Sequence, residues 1–144
     1  MAHEDAGHYG AKHPEGTIDE AIADEIRNRE NEGRISCAAA HKIAQQQGCS
    51  PKIVGMNIDL LEKRICKCQM GLFGYGANKG KAVEASSPVA PDLEKAIGDA
   101  MDGDRITCIA AWDVANRLNL AKMDVAGACE TLEIKVSTCQ LGAF

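Results

Sequence analysis

Arg34-Ile35-Ser36-Cys37-Ala38-Ala39-Ala40-His41-Lys42-Ile43-Ala44-Gln45-Gln46-Gln47-Gly48-Cys49-Ser50-Pro51-Lys52-Ile53-Val54 decides the fold of this chain, because its pattern returns at an offset of 71 residues, from Arg105-Ile106-Thr107-Cys108 onward. The same offset lays Cys68-Gln69-Met70-Gly71-Leu72-Phe73 on Cys139-Gln140-Leu141-Gly142-Ala143-Phe144. Over residues 34–73 and 105–144, without a gap, 13 of 40 positions are identical. Unrelated chains of average composition would agree at roughly 6% of positions. Ile43/Val114, Asp59/Glu130, Arg64/Lys135 and Ile65/Val136 are conservative replacements. The chain is a duplication.

Each copy carries the same order of signals. Ile18, Ala21, Ile22, Glu25 and Ile26 fall at helical spacing, as do Leu93, Ala96, Ile97, Ala100 and Met101. Gly33, or Gly103 with Asp104, ends that helix. Arg34-Ile35 and Arg105-Ile106 form a short extended piece, and Ser36 and Thr107 are N-caps for helices over 37–47 and 108–118. Gly48-Cys49-Ser50 is a tight turn. Ser50 then caps a further helix with Pro51 at its first position. That helix lines up Val54, Ile58 and Leu61, matched by Val125, Cys129 and Leu132 in the copy. A β-prone stretch closes each unit, over 64–73 and 135–144.

Helix, short strand, helix, turn, helix, strand resembles the winged-helix form of the helix-turn-helix. The residues that carry the resemblance are Ala44, Gly48 and Val54, with Ala115, Asn119 and Val125 in the copy. The family places a small residue where its two helices cross, a turn residue that tolerates left-handed dihedrals, and an apolar residue packed back on the small one. The closing stretch departs from the family pattern, since no returning wing strand follows it. It is expected to pair with residues 105–108 and to leave little or no wing. The expected fold class is mainly α with short β-strands, as two tandem winged-helix-like repeats. The expected organisation is a flexible His-containing tail over 1–16, a first repeat over 17–76, a linker over 77–90 and a second repeat over 91–144.

The resemblance implies double-stranded DNA as a partner, with the second helix of the pair in the major groove. Its reading positions in the first repeat are Ser50, Pro51, Lys52, Gly55, Met56 and Asp59. Of these only Ser50 and Lys52 are useful donors, and no Arg stands there for guanine. Charge separates the copies. Residues 34–73 hold Arg34, Lys42, Lys52, Lys63, Arg64 and Lys67 against Asp59 and Glu62, a balance of +4. Residues 105–144 balance to zero. The first repeat is therefore the expected DNA reader, through Ser50, Lys52, Arg64, Lys67 and Lys42. The competing reading is a non-catalytic protein-interaction or dimerisation module, binding a protein partner or a second copy through the apolar end formed by Met70, Leu72, Phe73 and Tyr75.

Composition narrows the remaining classes. The chain has 144 residues, a formal net charge of −5, seven Cys and four His. That charge excludes a wholesale basic coat. No apolar run is long enough for a membrane span, and the start lacks the pattern of a signal peptide, so a cytoplasmic location is expected. An odd number of Cys argues against a disulfide scaffold. Cys37, Cys68, Cys108 and Cys139 recur as a duplicated pair, which fits buried packing or, as a third reading, a thiol-based metal or redox sensor. His3, His8 and His13 are spaced by five, which does not line one helix face, although an unstructured tail could wrap a metal. No metal or other cofactor is expected. No nucleophile elbow, phosphate loop or zinc-protease motif is present, so no enzymatic activity is expected.

Overall fold

A computed structural model describes residues 9–75, 81–85 and 88–143. It is mainly helical, with six α-helices and four three-residue strands among the described residues. In chain order these are α1 (Glu20–Arg29), β1 (Arg34–Ser36), α2 (Cys37–Gln47), α3 (Pro51–Leu60), β2 (Arg64–Cys66), α4 (Pro91–Ala100), β3 (Arg105–Thr107), α5 (Cys108–Leu118), α6 (Lys122–Thr131) and β4 (Lys135–Ser137). A short 3-10 helix, Tyr9–Lys12, precedes them.

The caps explain where the central helices start and stop. The Ser36 hydroxyl accepts from the Ala39 N–H at 3.1 Å, and Thr107 does the same for Ala110 at 3.2 Å. Gly48 (φ 65°) and Asn119 (φ 57°) end the two helices in the left-handed region. The next N–H groups, of Cys49 and Leu120, then reach back to the Ala44 and Ala115 carbonyls at 3.1 and 2.8 Å. This is a Schellman closure, and it turns the chain sharply into α3 and α6. Ser50 stands at the N-cap of α3 but makes no side-chain capping bond there. The first helix also starts later than its apolar spacing suggests. Asp19 is its N-cap, Ile18 stays exposed, and its buried face is Ile22, Ala23 and Ile26.

Strands β1 and β2 pair in parallel with Arg34 opposite Arg64, Ile35 opposite Ile65 and Ser36 opposite Cys66. Strands β3 and β4 pair likewise, with Arg105 opposite Lys135. The closing strand therefore does pair with the short strand, and in parallel. The β-prone stretches expected over 64–73 and 135–144 are strand for three residues only. Lys67 (φ 49°) and Thr138 (φ 53°) leave the extended region and end them.

Beyond those two residues the duplicated segments change places. The chain divides into two compact units, one made of residues through Cys68 plus the segment from Gln140, the other of Gln69–Cys139. The equivalent segments that begin at Gln69 and Gln140 thus each complete the unit built by the other repeat. In the first unit the backbone of Leu141 lies directly on α3, where a Cβ on Gly55 would overlap the Leu141 carbonyl oxygen. Leu141 is buried there. In the second unit Met70 is buried, and the Gly71 carbonyl accepts from the Ala82 and Val83 N–H groups at 2.8 and 3.0 Å. Burying one such side chain contributes about 1.5–3 kcal/mol.

Core residues follow the helical spacing: Ile35, Ala40, Ile43, Ala44, Val54 and Ile58 in the first unit, and Ile106, Ala111, Val114, Ala115, Val125 and Ala128 in the second. Leu61 and Leu132, expected with them, sit at the helix ends and are only half-buried. One buried polar side chain ties helices together. The Asn57 Oδ1 accepts from the Asp19 N–H at 2.8 Å while its Nδ2 donates to the Ile53 carbonyl at 2.9 Å.

The close approach at Gly55 has a measurable consequence. Gly55→Ala is expected to lower stability in urea by about 2 kcal/mol, because the methyl meets backbone and not a flexible side chain. Gly98→Ala, on α4 with nothing within 4 Å of the added carbon, is expected to raise it by about 0.5–1 kcal/mol. Equal effects at the two glycines would contradict the placement of Leu141.

Candidate functional site

Packing on α3 leaves little of the helix accessible. Val54, Gly55, Asn57, Ile58 and Asp59 are all buried. Of the six groove-reading positions expected in the first repeat, Gly55 and Asp59 are therefore unavailable. Gly55 lies under Leu141. Asp59 is held from the N-terminal side, its Oδ2 accepting from Lys12 Nζ at 3.1 Å and lying 2.8 Å from His13 Nε2. Only the first turn, with Ser50, Lys52 and Ile53, is exposed. In the second repeat the cover is more complete, since Val125, Ala126, Gly127, Ala128 and Cys129 are buried in succession.

Within the expected tail 1–16, residues 9–16 have defined structure, and residues 1–8, including His3 and His8, lie outside the described residues. The Glu62 carboxylate accepts from the Tyr9 N–H at 2.6 Å and the Gly10 N–H at 2.9 Å, while Lys12 Nζ donates to the Gly142 carbonyl at 3.3 Å. These bonds fasten residues 9–12 to the turn just after α3 and to the segment after β4. Sequence alone does not show this role, because Asp59 falls at a groove-reading position and Glu62 enters only the local charge balance.

Ser50, Lys52, Arg64, Lys67 and Lys42 are all exposed. Among the described residues none of the four cations forms an ion pair. The remaining cations near them differ. Lys12 is on Asp59, Arg27 on Asp24 and Glu20, Arg29 on Glu25, and Lys63 on Glu30. A further partnerless cation, Arg34, stands directly opposite Arg64. The local pattern places Arg34 among the cations of the first repeat, but its juxtaposition with Arg64 depends on strand register, which is a long-range property.

The apolar end expected to receive a protein partner is altered. Met70 is fully buried inside the second unit, and Leu72, Phe73 and Tyr75 are half-buried. Among the described residues the most exposed large apolar side chain is instead Ile109 on α5, at 64%. His41 and Trp112, at equivalent places, are partly buried, and Lys122 Nζ lies 4.6 Å from the Trp112 ring centre.

All seven cysteines are thiols outside disulfides. Cys37, Cys68, Cys108 and Cys129 are buried, while Cys49, Cys66 and Cys139 are partly accessible. A thiol in the first turn of a helix becomes reactive only where it is exposed, and Cys37 and Cys108 are not. Among the described residues no three His, Cys, Asp or Glu side chains converge on a metal position. Among the described residues no helix is long and apolar enough to cross a membrane. Comparison with family models, curated proteins and solved structures gives no match for this chain.

Burial, reinforced by the neighbouring Glu130 carboxylate, pushes the Cys129 thiol from 9.0 up to about 11. The folded protein thus favours the protonated thiol. The stability this confers is complete below pH 9.0 and is lost as pH rises toward 11. Native labelling with iodoacetamide at pH 8 is expected to modify Cys49, Cys66 and Cys139 first and Cys129 last. Cys129→Ala is expected to flatten the decline of stability between pH 9.0 and 11. Early labelling of Cys129 would contradict its position in the core.

Proposed function

We propose that this protein is a non-enzymatic, DNA-binding protein of transcription-regulator type, a tandem duplication of winged-helix units that grips double-stranded DNA by its phosphates through the first repeat. The observation that carries this reading is the set of exposed, partnerless donors Lys42, Lys52, Arg64 and Lys67, with the Ser50 hydroxyl left uncommitted at the head of α3. In a chain with 21 acidic side chains against 16 basic ones, cations without carboxylates stand out. The helix, left-handed turn and helix at Gly48 and Asn119 supports the family assignment. Among the described residues the strands form only the two parallel pairs, without a projecting wing.

The burial of α3 sets the mode of binding. Contacts come from its first turn and from the residues around β2, so they fix the duplex by charge and read few base edges. Affinity is accordingly modest, tolerant of sequence and steeply dependent on salt.

A protein-interaction or dimerisation module of the same type is the second reading, and exposed Ile109 and Leu120 favour it for the second repeat. A strictly monomeric sedimentation profile at all concentrations, unchanged by Ile109→Lys, would remove it for self-association.

Gel shift with random duplex at low salt tests the first reading. The intact chain is expected to shift the duplex. Lys52→Ala with Arg64→Ala is expected to weaken binding and to lower the slope of log affinity against log salt by about 2. No shift at micromolar protein would overturn DNA binding. A full shift by the double variant would overturn the assignment of these residues.

A further inference from the structure

We infer that each parallel strand pair carries a phosphate-binding site at its start, Arg34 with Arg64 in the first unit and Arg105 with Lys135 in the second. In the first unit this extends the phosphate contact proposed for Arg64 and rests on that reading. In the second unit it stands alone, on a repeat whose balanced charge gives no reason to expect an anion site.

Register is the first ground. Arg34 is the direct partner of Arg64, and Arg105 of Lys135. Paired strands run about 4.8 Å apart, so two like charges are held side by side. Like charges directly opposite each other destabilise a strand pair. Here the arrangement occurs twice, with Arg repeated at one position and the charge kept at the other.

The absence of local neutralisation is the second ground. All four side chains are exposed, and among the described residues none is in an ion pair. The other described cations of the second unit are all engaged. Lys81 meets Glu130 at 2.9 Å, Lys95 meets Asp99 at 2.8 Å, Arg117 meets Asp113 at 3.0 Å, and Lys122 lies on Trp112. Arg105 and Lys135 are the two left over. Asp102, Asp104 and Glu133 are close in sequence but bond to neither. In the first unit Glu62 is taken by the Tyr9 and Gly10 N–H groups, and Glu30 by Gly33 N–H and Lys63.

The chemistry of the pair selects the ligand. The backbone N–H groups of Arg34, Arg64 and Arg105 already donate to the carbonyls of Asn31, Gly33 and Asp102. Binding therefore falls to side chains. A guanidinium fork and a second cation beside it match a group with several oxygens and up to two negative charges. That group is a phosphate, either a free phosphate compound or the diester of a nucleic acid.

Pyrophosphate is the probe, titrated into isotope-labelled full-length protein and followed by amide NMR, with sodium chloride of equal ionic strength as the control. The expected result is a saturable shift of residues 34–36, 64–66, 105–107 and 135–137. Arg105→Gln with Lys135→Gln is expected to weaken binding at the second pair by about tenfold or more and to leave the first pair unchanged. Shifts no larger than in the chloride control would overturn the inference, whatever the duplex does. So would shifts at the second pair that persist unchanged in the double variant. A parallel duplex titration separates the sources. Lower duplex affinity of the double variant assigns the second site to nucleic acid phosphate, and unchanged duplex affinity with pyrophosphate binding lost assigns it to a free phosphate compound. Failure of the duplex to bind any form overturns the proposed function while leaving the pyrophosphate result to stand or fall by itself.

Discussion

A backbone carbonyl pressed against a helix governs this fold. The Leu141 carbonyl occupies the space that a side chain at position 55 would need, so α3 is Gly there and the segment after β4 can lie flat on it. Interiors of proteins are packed too tightly to leave such a contact slack. The same contact commits Leu141 to the first unit, and the equivalent exchange commits Met70 to the second. Neither repeat is completed by its own closing segment.

Much of the local structure was legible in the residues. Helices over 37–47 and 108–118 match the bounds set by Ser36, Thr107, Gly48 and Asn119, because caps and left-handed turns are local chemistry. The exchange was not legible, for a physical reason. Cys68-Gln69-Met70-Gly71 and Cys139-Gln140-Leu141-Gly142 are so alike that a pattern cannot say which copy goes where. The turns at Lys67 and Thr138 that redirect the chain carry no glycine to announce them. Of the candidate site, the individual cations were legible and their partnerless state was not. Nor was the fastening of residues 9–13 by Glu62 and Asp59, which joins groups far apart in sequence.

These constraints shape the proposed function more than the resemblance to a helix-turn-helix does. A reading helix must project, and here the segment from the other repeat lies on it. What remains outward is charge: the first turn of α3, Lys42, Lys67 and the cations at the heads of the strands. On the proposed reading, a surface of that kind holds phosphates and discriminates little among bases. Four of the seven cysteines belong to the interior, where Cys packs as a small apolar group.

The exchange is tested most directly by amide hydrogen exchange on Leu141→Ala, read against the unaltered chain. Removing the side chain that follows β4 of the second repeat should shorten protection in α3, Pro51–Leu60, of the first. Protection in α6, Lys122–Thr131, should persist. Loss of protection in α6 with α3 intact would mean that each repeat closes on its own segment, and would contradict the account.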